Sequence, residues 1–448
     1  MVNKEHVLHL LHTLDQDLLA IDIEQLTADQ LAVFYKQLVR YGPDTLLRQR
    51  DVLGHRAFAS LQGARSPVYE EGSLLRDAAG HQAIAEGKVA ALVLAGGLGT
   101  RLGSNMPKAL FEVSPVRGKT LLQIALEKTK NLSDQIKSSL QIAILLSDKT
   151  IQDTQVYLVK HAFFGLHPSQ ITLVCQENMP FLTPEGSWCL EHPGQIAEGP
   201  NGNGRAFLSL QKAGLLDHWK SMGIRYINVM PIDNPLADPY PADLIGLHEE
   251  KQVDVTLKAV EKMDPHESVG TVAMVSGGVR IIEYSDLDRT KDLSTSSYGD
   301  LANIGLMSFT LSFIQAHLEQ MEGMPWHLAD KSADVFDGER GYYKKHIWKF
   351  ESFIFDLFAY TKSIAVLKVL RENCYSPLKN QSGDKSIQSV QRDLLNKYKT
   401  IYSELSGLKA PMRDFELASQ FWYPTEVMKV YWKNRLLPEK SYIEPQAL

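Results

Sequence analysis

VAALVLAGGLGTRLGSNMPK, residues 89–108, begins as a run of small and branched apolar residues and ends as a glycine cluster with two cations. A short apolar run closed by glycines reads as a buried β-strand feeding a loop. In open α/β sheets, ligands bind in the crevice beyond the carboxyl ends of the strands, so this loop stands where a ligand is expected. Gly96, Gly97, Gly99 and Gly103 let the backbone turn sharply and bring its N–H groups close to phosphate oxygens. Arg101 and Lys108 add positive charge, and charge-assisted hydrogen bonds are roughly twice as strong as neutral ones. Pro107 stiffens the chain just ahead of Lys108.

Two other glycine motifs do not fit. A P-loop requires GxxxxGK[ST], whereas Lys108 follows Pro107 and precedes Ala109. A dinucleotide fingerprint requires GxGxxG, whereas Gly97, Gly99 and Gly103 are spaced GxGxxxG with no acidic strand end about twenty residues on. A basic glycine-rich surface turn is the plain alternative for the loop taken alone.

Outward from the loop, the apolar runs QIAILLS, ITLVCQ and YINVMPID alternate with helical patterning such as KTLLQIALEKTKNL. Val253–Val260, Thr271–Val275 and Val279–Tyr284 are further strand candidates. Alternating strands and helices predict an α/β fold, Rossmann-like, with a mainly parallel mixed sheet flanked by helices. Residues 1–87 read as a helical region, with Thr27 opening a helix that Gly42 and Pro43 end. Residues 88–375 form the expected catalytic domain, and 376–448 a short, mostly helical carboxyl-terminal region.

The chain has 448 residues and a formal net charge of −6, so nothing in its global balance draws it to nucleic acid or an anionic membrane. The first residues lack the apolar core and cleavage site of a secretory signal, and Val89–Gly97 is far too short to span a bilayer. Cys175, Cys189 and Cys374 form neither a disulfide framework nor a zinc motif, which fits a cytoplasmic protein.

Beyond the loop, Asp233 and Asn234 follow the strand YINVMPI; a carboxylate there can hold Mg2+, although IDN by itself reads as a turn or cap. Gln176 ends ITLVCQ, and its amide offers both a donor and an acceptor. Glu283 reads as an edge-strand charge, Lys379 as a loop lysine, and Phe353 and Phe355 as core rings. His266, His327 and His346 show no ligand-like spacing.

The pattern LxGGxGTxLGxxxPK resembles the signature loop of the UDP-sugar pyrophosphorylase superfamily. The resemblance is to the eukaryotic-type UDP-N-acetylhexosamine pyrophosphorylase branch in particular. It continues in order through HAFFGL at 161–166, Gln176, PNGNG at 200–204, IDN at 232–234, VEK at 260–262 and VG at 269–270. EYS at 283–285, NI at 303–304, FIFD at 353–356 and SPLKN at 376–380 follow, about 300 residues in all. The resemblance implies a nucleotidyltransferase (GT-A-like) fold joining UTP to N-acetylglucosamine 1-phosphate, with Mg2+ as cofactor. It assigns Arg101, Lys108 and Lys379 to phosphate chemistry and Asp233 to the metal. Ala95, Gly96, Gly97, Gly99, Thr100, Gln176 and Gly202 go to the nucleotide. Asn203, Gly270, Glu283, Asn303, Phe353 and Phe355 go to the sugar. A UDP-glucose or broad-specificity pyrophosphorylase and a non-catalytic UDP-sugar-binding protein are the alternatives. Where animal members carry Met-Ala-Pro-Asp-Gly-Asn-Gly-Gly, this chain has Glu198, Gly199, Asn201 and Arg205, which places a carboxylate close to the expected nucleotide.

Overall fold

The computed structural model describes residues 3–20, 23–55, 64–264, 267–283 and 299–445. His266, and the tyrosine and serine that follow Glu283 in EYS, lie outside the described residues.

The central nine-stranded sheet contains β1 (Val89–Leu94), β2 (Gln141–Leu146), β3 (Ile171–Cys175), β4 (Tyr226–Pro231) and β5 (Val255–Glu261). β6 (Thr271–Val275), β7 (Gly278–Ile282), β8 (Leu301–Thr310) and β9 (Ile364–Lys368) complete it. β3, β2, β1 and β4 pair in parallel in that order, as do β5 and β9, while β8 lies antiparallel between β4 and β5. β6 is antiparallel to β8 and β7 to β6, so only β7 and β8 run against the other strands. The sheet is therefore mostly parallel, as the alternating pattern predicts.

Both faces are covered. Along β1, Ala91 and Val93 enter one core with helices Leu121–Ile136, Asp148–Lys160 and Ile387–Ser406. Ala90 and Leu92 enter the other with helices Ala206–Lys212, Leu215–Ser221 and Leu311–Ala316. That period of two on a strand buried on both faces explains why VAALVL is apolar throughout.

β8 changes partner along its length. Met307–Thr310 pair with β4, the register shifts after Asn303, and Leu301–Ala302 pair with β6. Gly305 sits in the shift at φ 74°, its N–H donated to the Asn303 side-chain oxygen at 3.0 Å. β6 consequently pairs with β8 beyond the stretch that pairs with β4.

The amino-terminal helix Ala28–Gly54 is capped by Thr27 and broken at Gly42, which takes φ 61° and ψ 179° ahead of Pro43. The expected helix does end there, and a second begins at once. Its Leu31, Phe34 and Leu38 share a core with Trp188 and with Phe350, which belongs to a second sheet built on the hairpin His327–Asp337 and Gly341–Glu351. That hairpin is not legible in the sequence. Charged residues such as Lys331, Asp334, Lys344 and Lys345 interrupt its apolar alternation. EGPNGNG, read as a loop, is a strand over its first residues: Glu198–Pro200 pairs antiparallel with Asn178–Pro180. Side-chain bonds described below, from Glu198 to an element far away in sequence, hold it there.

Lys128 lies on the buried face of helix Leu121–Ile136, in register with Leu121, Ala125 and Leu132. Its Nζ donates to Pro235 O at 2.9 Å and Ala237 O at 2.8 Å, and sits 3.6 Å from the Trp422 ring centroid. It thereby secures the loop that follows Asp233 and Asn234. Burial lowers this ammonium to about 7, with Asp238 raising it and Lys397 lowering it. The unfolded chain, near the ordinary 10.5, binds a proton that the fold releases between those two values, so stability rises with pH across that window. In urea titrations at pH 7 and pH 9, wild type is expected to gain stability relative to Lys128→Met. Equal changes in the two proteins would refute this coupling.

Candidate active site

The glycine loop returns on itself. Gly99 N–H donates to Met106 O at 2.9 Å and Lys108 N–H to Gly97 O at 3.0 Å, so the end of the motif is laid against its beginning. Gly103 is left-handed at φ 75° and donates its N–H to Thr100 O. These bonds correct one expectation: the N–H groups of Gly99 and Gly103 serve the loop and do not face an external phosphate. Gly99 is needed for another reason, since a Cβ there would come within 2.4 Å of the Phe111 ring. Ala95 N–H is likewise committed to Leu145 O, at 2.8 Å, which leaves its carbonyl as the polar group for a ligand. Among the described residues, no hydrogen bond uses the N–H of Gly96 or Gly97. Thr100 and Arg101 open a short 3-10 turn, Thr100–Leu102, that exposes the arginine.

Gln176 covers Gly96. Its N–H donates to Leu146 O at 2.7 Å at the end of β2, and its amide lies so near that a Cβ on Gly96 would fall 2.3 Å from Nε2. The clash is with the end of a flexible side chain, so Gly96→Ala should fold and displace the amide. The expected result is a rise of roughly tenfold in KM for the nucleotide, the cost of one lost hydrogen-bonding pair, with little change in melting temperature. Unchanged nucleotide affinity would remove Gln176 from this role.

Gly202 has φ 82°, and a Cβ there would meet Ser352 O at 2.2 Å, a backbone atom that cannot yield. Gly204 N–H donates to the same oxygen at 2.9 Å, and Ser352 N–H to Asn201 O at 2.9 Å. The Asn203 side-chain oxygen accepts Ile354 N–H at 2.9 Å, and Asn201 N–H donates to Glu177 O at 3.1 Å. PNGNG is thus joined on one side to Gln176–Glu177 and on the other to FIFD. Phe353 and Phe355 stack at 5.0 Å and 19°, outside regular strand, ahead of and within the 3-10 turn Ile354–Tyr360. Asp356 fixes that turn by accepting Phe353 N–H at 2.8 Å and contacting His327 Nε2 at 3.1 Å.

The carboxylate of Glu198 is taken up by other side chains of the protein. Its Oε2 accepts from the Tyr41 hydroxyl and from Gln37 Nε2 at 3.0 Å, and its Oε1 from Asn178 Nδ2 at 2.9 Å. Burial and this carboxylate push the Tyr41 hydroxyl well above the usual phenol range. Arg205, the other departure from the animal pattern, pairs with Glu177 at 3.1 Å, as does Lys212. Both unusual charges therefore brace the segments around Gln176, and the amino-terminal helix is part of that support.

The residues expected to handle phosphate come from three segments. Lys108 Nζ lies 3.6 Å from Asp233 Oδ2, with the two side chains 19% and 17% exposed. Leu378 N–H donates to Asp233 O at 2.8 Å, while the Asn234 amide donates to Cys374 O at 2.7 Å and accepts Ser376 N–H at 3.0 Å. IDN and SPLKN are thus one unit. Burial lowers the Lys379 ammonium, but Asp233, Tyr375 and Glu283 together raise it above the usual lysine range against the opposing charge of Arg101. Those interactions place Lys379 amid three of the expected site residues, Asp233, Glu283 and Arg101, together with Tyr375. A Cβ on Gly270 would lie 2.5 Å from Glu283 Oε1, and Asn303 N–H donates to Gly270 O at 2.8 Å, which brings together three of the residues expected at the sugar.

Among the described residues, no group of three or more His, Cys, Asp or Glu could hold a metal ion. Asp233 fits Mg2+ as a single hard oxygen donor, provided that phosphate oxygens and water complete the sphere, which is the usual arrangement for this ion. A cavity of about 1130 Å³ bordered by Asp77, Lys258 and Trp422 lies elsewhere and contains none of the expected site residues. Among the described residues, no helix is long and apolar enough to cross a membrane.

A mostly parallel sheet with a glycine loop at the end of its first strand, flanked by paired lysine and aspartate, defines the class as an α/β fold of nucleotidyltransferase type. The chain belongs to the family described as UTP--glucose-1-phosphate uridylyltransferase, whose model matches residues 55–418. It is 33% identical over 323 residues to UDP-N-acetylglucosamine diphosphorylase 2 of Arabidopsis thaliana, covering 68% of this chain and 63% of that protein. The match thus spans less than two thirds of that relative's length. It is 32% identical over 322 residues to UDP-N-acetylglucosamine pyrophosphorylase of Saccharomyces cerevisiae, covering 68% of each. In fold it is similar to the uridine diphosphate N-acetylglucosamine pyrophosphorylase of Trypanosoma brucei, with TM-score 0.79, 22% identity and coverage of 100% of this chain and 99% of that one.

Proposed function

We propose that the chain is a uridylyltransferase that forms UDP-N-acetylglucosamine and pyrophosphate from UTP and N-acetylglucosamine 1-phosphate. The observation that carries this reading is the convergence of Lys108, Asp233 and Lys379 beside the free N–H groups of Gly96 and Gly97. A phosphate oxygen of the sugar 1-phosphate attacks the α-phosphorus of UTP in line. The bond from that phosphorus to the bridging oxygen of the β-phosphate breaks, and pyrophosphate leaves with the electron pair. The attacking oxygen is already anionic, so no side chain has to remove a proton.

Catalysis then consists of alignment and charge compensation, which in favourable cases supply ~7 to 11 kcal/mol and often the largest single term of a barrier. Lys108 and Arg101 face the α-phosphate and the departing pyrophosphate, and Lys379 holds the sugar phosphate. Gln176 reads uracil with the backbone of Ala95, Gly96 and Gly202. Glu283, Gly270, Asn203 and Asn303 face sugar hydroxyls, and the stacked Phe353 and Phe355 offer an apolar wall to an acetyl group. Asp233 would hold a Mg2+ ion, which would supply positive charge to offset that of the phosphates.

The names of the two relatives support the N-acetylglucosamine assignment. The family description instead favours glucose 1-phosphate, as the second reading. Pyrophosphate release from UTP and Mg2+ with each of N-acetylglucosamine, N-acetylgalactosamine and glucose 1-phosphate decides between them. Preference for glucose 1-phosphate overturns the sugar assignment, and no release with any of the three overturns the activity.

A further inference from the structure

Glu267 is only 10% exposed, and three positive or donor groups converge on it. Arg371 grips it with two parallel bonds, Nη1 to Oε1 at 3.1 Å and Nη2 to Oε2 at 2.7 Å. Lys385 Nζ reaches Oε1 at 3.3 Å, and Met263 N–H donates to Oε2 at 3.2 Å. Burial raises this carboxyl, but Arg371 and Lys385 outweigh burial and hold it below the usual carboxylate range, so it is ionised at neutral pH.

The partners matter because of what their segments carry. Glu267 precedes Gly270, and its own carbonyl accepts Val269 N–H at 2.8 Å. Arg371 opens the helix Arg371–Cys374, which delivers the chain to Ser376 and Lys379. The carbonyl of Lys385 accepts the N–H groups of both Lys379, at 2.7 Å, and Asn380, at 3.0 Å. One carboxylate therefore ties the sugar-side turn to both ends of the loop that presents Lys379. A bidentate arginine pair fixes orientation as well as distance, and a misplacement of ~1 Å at a reacting group can cost on the order of a hundredfold.

We propose that Glu267 is a positioning residue for the sugar 1-phosphate: through Arg371 and Lys385 it sets Lys379 against Gly270, and it does not touch the nucleotide side. This rests on the uridylyltransferase reading above. Two variants test it in steady-state assays of pyrophosphate release, alongside thermal melts. Glu267→Gln keeps the shape of the side chain and removes its charge; it is expected to raise KM for the sugar 1-phosphate about tenfold and to leave KM for UTP within about twofold. Lys385→Met removes only the tie to the far end of the loop, leaves the arginine pair intact, and should raise the same KM by a few fold with an unchanged melt. In the double variant the two effects should not multiply, because both cut one connection.

Loss through general destabilisation would raise both KM values or lower only the amount of active enzyme. Equal rises in both KM values for Glu267→Gln, or an unchanged sugar-phosphate KM in a folded Lys385→Met, overturns the proposal. Absence of turnover in wild type removes the activity and this inference together, whereas turnover with neither variant shifted removes the inference alone.

Discussion

Lys108→Ala is expected to lower kcat by on the order of a hundredfold, the loss seen when one preorganised donor to a developing charge is removed. The geometry separates the ammonium from the folding of the loop. Lys108 N–H makes the bond to Gly97 O, and Pro107 sets the approach; alanine keeps the first and leaves the second untouched. The side chain contributes the contact with Asp233 at 3.6 Å and its charge toward the substrate. On the proposed reading, removing it takes away a cation beside the triphosphate and leaves Asp233 without the counter-charge 3.6 Å away, so the carboxylate then repels the same phosphates. Both effects grow as charge collects on the leaving pyrophosphate, and the loss should fall on kcat more than on KM for UTP. Lys108→Arg, which restores charge without the compact ammonium, should recover part of the rate. Near-normal turnover by a folded Lys108→Ala protein would remove this lysine from the chemistry.

What sequence could and could not reveal follows from where each residue's partners lie. β1 and its loop are legible because their signal is local: an apolar run, then glycines, then Lys108. Gln176 and Asp233 are legible as polar residues just past strand ends. The partners of Glu198 are not legible in the same local way, since Tyr41 and Gln37, which bind it, are 157 and 161 residues earlier. Gly99 reads as a phosphate-loop glycine, but its constraint in the structure is the ring of Phe111. Lys128 did leave a trace, a lysine in register with Leu121, Ala125 and Leu132 on the apolar side of a helix. Glu267 left none, because Arg371 and Lys385 are distant in sequence and a single glutamate ahead of VG carries no period. Contacts that span a hundred residues or more are what a one-dimensional reading lacks, and in this cleft they bear on support more than on the groups that face substrate.

Lys379→Ala should damage the opposite end of the reaction. This lysine stands amid Asp233, Glu283 and Tyr375, which keep its ammonium above the ordinary range despite burial. Its charge therefore persists from neutral to mildly alkaline pH, and the folded state gains from it below the ordinary 10.5, a gain lost only as pH rises through the higher folded value. Two consequences follow. First, kcat/KM for the sugar 1-phosphate should show no falling limb from Lys379 between pH 7 and pH 9. Second, deleting the ammonium leaves Asp233 and Glu283 facing an incoming phosphate with less compensation, so kcat/KM for that substrate should drop by roughly a hundredfold to a thousandfold. KM for UTP should change far less, because Gln176 and the glycine loop lie on other segments. The substitution spares the backbone, since Lys379 N–H to Lys385 O at 2.7 Å survives in alanine. Initial rates measured against each substrate separately give the answer: equal losses for both would mean a general collapse of the cleft, and no loss for the sugar 1-phosphate would mean that the phosphate is held by other groups.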